Sequence, residues 1–191
     1  MHNTRQNKAF FLDRDGVVIK DVPYLSKVHE IEFLPGVDRA IKRIKDYGYK
    51  CIVITNQSGI ARGLISWDEL SYINTYLRKS LERTGAIIDD IYVCPHHPDG
   101  KVKEYAIKCS CRKPGNAMIL QAAVEHKLDL SRSIMIGDQD IDVEAGITAG
   151  CNSFLLYKPN LLLGMQVTFN NLEEAVKYIY NYHYASEKKE G

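Results

Sequence analysis

An excess of charge of either sign is missing from this chain: 25 lysines and arginines stand against 24 acidic residues, a net of +1. That balance excludes the broad electrostatic footprint by which nucleic acid or an anionic membrane surface is held without a shaped site. Any partner must be recognised locally. Also missing is a run of about 18 apolar residues that could span a bilayer. The start, Met1-His2-Asn3-Thr4-Arg5-Gln6-Asn7-Lys8, lacks the apolar centre of a signal peptide. The expectation is a cytoplasmic protein that neither crosses nor coats a membrane. Internal repeats and low-complexity segments are absent too, and five cysteines, an odd number, fit poorly with a secreted disulfide framework.

At 191 residues the chain can bury a full core but has no room for a second large domain. One domain is expected over residues 1–185, followed by a charged tail, 186–191, with no apolar face and an expectation of disorder. Apolar runs rich in β-formers occur at Ala9–Leu12, Cys51–Ile54, Ile91–Val93, Ile134–Ile136 and Phe154–Leu156. Most are apolar throughout, as parallel strands covered on both faces should be. Between them lie helical patterns: Val37, Ile41, Ile44 and Tyr47 before Gly48; Leu70, Ile73, Leu77 and Leu81 after the capping box Ser66-Trp67-Asp68-Glu69; then stretches at about 116–127, 139–149 and 171–182. Alternation of this kind predicts an α/β fold with a mainly parallel sheet, whose ligands bind beyond the carboxyl ends of the strands.

The residues at those ends carry the chemistry. In extended backbone Asp13 and Asp15 share a face while Arg14 points away. Two acids at one site need a cation or a retained proton, and magnesium suits such an oxygen-rich place. Cys94-Pro95-His96 and Cys109-Ser110-Cys111 flank a polar loop, about 94–111 in all, and the two triplets offer one histidine and three thiols. That set can close a tetrahedral shell around zinc or iron, a structural site because no position stays open. His97 competes with His96 on adjacency alone. Cys51 and Cys151, in apolar surroundings, read as core.

Phe11-Leu12-Asp13-Arg14-Asp15-Gly16 resembles the first signature of the haloacid-dehalogenase superfamily. Ile54-Thr55-Asn56, Arg112-Lys113-Pro114, and Gly137-Asp138 with Asp140 and Asp142 resemble the three that follow, in order. The resemblance implies a Rossmann-like core and a phosphatase working through an aspartyl phosphate. It implies Asp13 as nucleophile and Asp15 as the proton-transfer group. Thr55 and Lys113 would hold phosphoryl oxygens, and magnesium would be bound by Asp13, the Asp15 main-chain carbonyl and Asp138.

Thr55-Asn56-Gln57-Ser58-Gly59-Ile60-Ala61-Arg62-Gly63, Cys94-Pro95-His96-His97-Pro98-Asp99-Gly100 and the cysteine pair before Arg112 narrow the resemblance to the D-glycero-D-manno-heptose 1,7-bisphosphate phosphatases. That family has no large cap domain and carries zinc on Cys94, His96, Cys109 and Cys111. Its members bind a small sugar phosphate through short loops, here Asp21, Val22, Pro23 and Tyr24 together with Thr55, Asn56, Gln57, Ser58, Arg112 and Lys113. Arg62 is a candidate second phosphate contact. The related histidinol-phosphate phosphatases have a shorter loop than Pro98–Lys108. A zinc module without catalysis, or transfer of the phosphoryl group to another alcohol, are the other readings. The chain departs from the heptose pattern at Gln139-Asp140, where a basic residue is usual, and at Lys113-Pro114-Gly115-Asn116-Ala117-Met118. Oligomeric state is left open, a monomer included.

Overall fold

A computed structural model describes residues 7–157 and 168–181. The charged tail expected to be disordered lies outside the described residues. Five strands, β1 (Ala9–Leu12), β2 (Lys50–Asn56), β3 (Asp90–Cys94), β4 (Ile134–Gly137) and β5 (Asn152–Leu155), form one parallel sheet in the order β3-β2-β1-β4-β5. β1 is central, and all four of its residues are fully buried, which is why its sequence shows no polar alternation.

The two-residue period of the strands divides the core. Phe10, Leu12, Cys51, Val53, Ile134, Ile136 and Phe154 face one side, against α1 (Val37–Asp46), α2 (Trp67–Glu82) and α5 (Leu172–Ile179). Phe11, Ile52, Ile54 and Met135 face the other, against Met118, Ile119 and Ala122 of α3 (Ala117–His126) and Ala145 of α4 (Asp140–Ala149). The capping box at α2 is formed: Ser66 Oγ accepts from the Glu69 backbone N–H at 3.2 Å, and the Ser66 N–H donates to Glu69 Oε2 at 2.9 Å. Cys51 and Cys151 are buried core residues. No helix among the described residues is long and apolar enough to cross a membrane, and no cap domain stands over the sheet among them.

The strand order reverses at β1, with β2 on one side and β4 on the other. The carboxyl ends of these three strands therefore open onto one crevice, the expected ligand position in a sheet of this kind. β3 runs to Cys94, one residue past the apolar run read from sequence. A thiol thus ends the edge strand, directly beside Asn56 in register.

Candidate active site

Asp13 follows β1 and is 7% exposed; Lys113, brought from a loop a hundred residues later, is 3% exposed. The Lys113 ammonium donates to Asp13 Oδ1 at 2.6 Å and to the Ile54 carbonyl at 3.1 Å, and lies 2.6 Å from Asp142 Oδ1. Two hydrogen-bond acceptors and a second carboxylate in ion-pair contact thus surround the charge. Its backbone is clamped as well, since Asn56 Oδ1 accepts from the Lys113 N–H and Asn56 Nδ2 donates to the Lys113 carbonyl, at 3.0 and 3.2 Å.

Thr55, Asn56, Asp13, Asp15, Arg112 and Lys113 line one hollow of about 160 Å³, with Gln139 at its rim. Asp21, Val22, Tyr24, Asn56, Gln57 and Ser58 line an adjoining one that shares the Asp15 wall. Of the residues expected to bind substrate, Pro23, which is exposed, and the candidate phosphate contact Arg62 line neither. Tyr24 holds a positive φ of 53° with its ring 46% exposed.

One expectation needs correction. Arg14 does not point away from both acids: its Nε and Nη2 fork onto the Asp15 carboxylate at 3.0–3.3 Å, because a guanidinium that is 1% exposed must find a counterion. Asp142, placed by resemblance in the fourth signature without a role of its own, is a buried ion-pair partner of Lys113. Its signal was Gly137: a Cβ there would collide with the Asp142 side chain, so the glycine marks where the first turn of α4 presses on the strand end. Gln57, on the wall of the adjoining hollow, is buried, with its amide donating to Asp15 Oδ2 and Thr55 Oγ1, both at 2.8 Å.

Carboxylate oxygens of Asp13, Asp138 and Asp142 lie within 4.8 Å of one another. Asp138 Oδ1 is buried without a hydrogen-bond partner. Its carboxylate also occupies the space a side chain at Gly16 would fill, hard against the backbone that follows Asp15. An orphaned carboxylate oxygen among hard oxygen donors fits magnesium. Burial, with added like charge from Asp142, raises the Asp13 carboxyl to about 7 against the opposing pull of Lys113. Asp138 rises to about 6, again by burial first and then by Asp142. Burial works to lower Lys113, but Asp13 and Asp142 outweigh it and hold the ammonium above its ordinary value.

These shifts give a signed prediction. Both acids bind protons more tightly folded than unfolded, so without metal their contribution is most favourable below about pH 4 and is lost as pH rises through the window up to about 7. Magnesium needs the ionised pair and should restore what is lost. The rise in Tm produced by magnesium is therefore expected to grow from about pH 5 to about pH 8. A thermal shift that shrinks over that range would count against this site.

The second cluster is made of Cys94, His96, Cys109 and Cys111. His96 Nδ1 lies 3.2 Å from Cys111 Sγ and 3.7 Å from Cys94 Sγ, and the three sulfurs are 3.0–3.6 Å apart. Tetrahedral bonds of about 2.3 Å give sulfur–sulfur edges of about 3.8 Å, so the set closes around a metal with small expansion. His97 is turned elsewhere, its Nε2 3.2 Å from Arg62 Nη2. Burial pushes the Cys94 thiol up. At Cys109 the burial effect is outweighed by hydrogen bonds from the Arg112 N–H and neighbouring thiols, and its thiol sits low.

A family described as HAD-hydrolase-like matches residues 110–158, the stretch from the cysteine pair past β5. D-glycero-alpha-D-manno-heptose-1,7-bisphosphate 7-phosphatase of Photorhabdus laumondii is 43% identical over 151 residues, which span 79% of this chain and 82% of that protein. The chain belongs to this phosphatase family. The D-glycero-beta-D-manno-heptose-1,7-bisphosphate 7-phosphatase of Helicobacter pylori strain J99 is 40% identical over 91% of this chain and 97% of its own. The fold also matches D,D-heptose 1,7-bisphosphate phosphatase from B. bronchiseptica, solved with magnesium and phosphate. That match has a TM-score of 0.77 and 31% identity over 91% of this chain and 98% of that one. Membership makes the chain a phosphoric monoester hydrolase with the HAD-like core, and the cavity around Asp13 sits where that core places its chemistry.

Proposed function

We propose that the chain hydrolyses a D-glycero-D-manno-heptose 1,7-bisphosphate to the monophosphate and inorganic phosphate, in the cytoplasm, through a phosphoryl-Asp13 intermediate. The observation that carries this is the buried Asp13–Lys113–Asp142 chain beside the orphaned Asp138 oxygen, at the switch point of the sheet. Asp13 attacks phosphorus in line, forming the acyl phosphate as the bond to the sugar oxygen breaks. Asp15 gives that oxygen its proton. A water molecule then attacks phosphorus, Asp15 takes its proton, and the Asp13 carboxylate leaves. Thr55 and Lys113 bind the phosphoryl oxygens, Lys113 exchanging part of its hold on the two acids for the incoming group. Magnesium, held by Asp13, Asp138 and the Asp15 carbonyl, would neutralise charge on the transferring group. Zinc on Cys94, His96, Cys109 and Cys111 is structural, because four protein ligands leave no open position.

The relatives carry both α and β anomers in their names, so the test must include each. Rates across both heptose bisphosphates, histidinol phosphate and hexose phosphates decide the substrate. The expected result is a kcat/KM for one heptose anomer at least about tenfold above histidinol phosphate, with release of one phosphate only. A preference for histidinol phosphate would move the assignment to that branch.

A further inference from the structure

Arg14 belongs to neither metal cluster and lines the adjoining hollow rather than the one around Asp13, yet it is among the most deeply buried large side chains of the molecule. Its Nε and Nη2 reach both oxygens of Asp15 at 3.0–3.3 Å, and its Nη1 donates to Asn74 Oδ1, on α2, at 3.2 Å. Gln57 Nε2 donates to Asp15 Oδ2 from another direction at 2.8 Å. A planar guanidinium that meets both oxygens fixes the plane of a carboxylate as well as its place, which a point charge cannot do. Asp15 is also the wall shared by the hollow around Asp13 and the adjoining one that holds Asp21, Tyr24 and Ser58. A phosphoryl group in the first and a sugar in the second put their bridging oxygen beside Asp15.

We propose that Arg14, braced by Asn74, is a positioning residue that holds the Asp15 carboxyl facing the bridging oxygen, so that proton delivery occurs from a preset geometry. The inference rests on Asp15 being the proton-transfer group. In the first step the Asp13–phosphorus bond forms, the bond from phosphorus to the bridging oxygen breaks, and that oxygen's electron pair takes the Asp15 proton. A misaligned Asp15 leaves the oxygen to depart as an anion. The penalty then depends on how basic the leaving oxygen is, whereas simple loosening of the fold slows every substrate alike.

The experiment measures leaving-group release in the pre-steady state for the magnesium-loaded protein across substituted phenyl phosphates of graded basicity, extended to an alkyl phosphate. The wild-type rates are expected to vary little along the series. Arg14→Lys should steepen the dependence, slowing the alkyl ester by about a hundredfold or more while p-nitrophenolate release falls less than about threefold. Asn74→Ala keeps the ion pair and removes only its brace, so it should steepen the line by a smaller amount; it decides the matter if Arg14→Lys does not fold. Parallel lines for wild type and variants would overturn the positioning role while leaving Asp15 as the proton donor. A steep line in the wild type itself would show that no proton is delivered in this step, and so overturn the reading of Asp15 on which the inference stands.

Discussion

Asp13→Asn is expected to give a folded protein whose turnover is lower by at least about a thousandfold, since it removes the one atom that bonds to phosphorus. The fold should survive. Asparagine conserves volume, and its carbonyl oxygen can accept from both the Arg14 N–H, now at 2.8 Å, and Lys113 Nζ. Lys113 keeps Asp142 and the Ile54 carbonyl. The substitution also removes a carboxyl that burial already holds near 7, relieving repulsion with Asp142. A Tm within about 5 °C of wild type is therefore expected, in either direction. Two measurements check it: kcat with saturating magnesium, and trapping of an alkali-labile phosphate on the protein from labelled substrate. Wild type should carry the label on Asp13 and the variant none. Near-normal turnover by the folded variant would falsify the aspartyl-phosphate route.

That prediction could be written from the first strand onward because the Asp13–Asp15 motif is local. The strands were legible for a related reason: parallel strands buried on both faces lose their polar alternation, and the first four runs were each followed by a loop rich in reactive groups. What stayed hidden depends on contacts between distant segments. Asn74 lies on a helix whose apolar stripe is Leu70, Ile73 and Leu77, where an asparagine reads as solvated; its partner Arg14 is 60 residues away. Arg14 itself looked like the outward member of a strand pair, because extended-chain alternation takes no account of the need to neutralise a buried guanidinium. Asp142 was legible as a member of the fourth signature, with nothing to set it apart from Asp140. Its distinction is burial, 1% exposed where Asp140 is exposed. The polar loop after Cys94 also holds more than its composition promised. The N–H groups of Lys101 and Val102 donate to the Ala61 carbonyl at 2.7 and 2.8 Å, and Trp67 Nε1 donates to Tyr105 Oη at 2.8 Å. One carbonyl and two aromatics anchor this polar segment besides the cysteine and histidine cluster.

This anchoring sets the size of the last expected effect, that of Cys109→Ser. The substitution replaces one thiolate of the closed shell with a poorer zinc ligand, so bound zinc should fall from about one equivalent to a small fraction. The loop would remain attached at Ala61 and Tyr105, and Lys113 would remain clamped by Asn56 and by its two carboxylates. The protein should therefore fold, with Tm lowered by roughly 5–15 °C, the range expected from a loss of about 2–4 kcal/mol in a chain of this size. Arg112 is held less securely. Its N–H donates to Cys109 Sγ at 3.4 Å, and its guanidinium donates to the carbonyl of His96, also at 3.4 Å, so both contacts depend on the cluster. Activity should fall by about 10–100-fold, the usual cost of disturbing the support of a site, with KM rising more than kcat falls because the displaced arginine binds substrate while Asp13 and Lys113 stay in place. Metal analysis of wild-type protein purified without added zinc supplies the matching control. Less than about a tenth of an equivalent of zinc or iron in a fully active protein would contradict a closed metal site at these four residues.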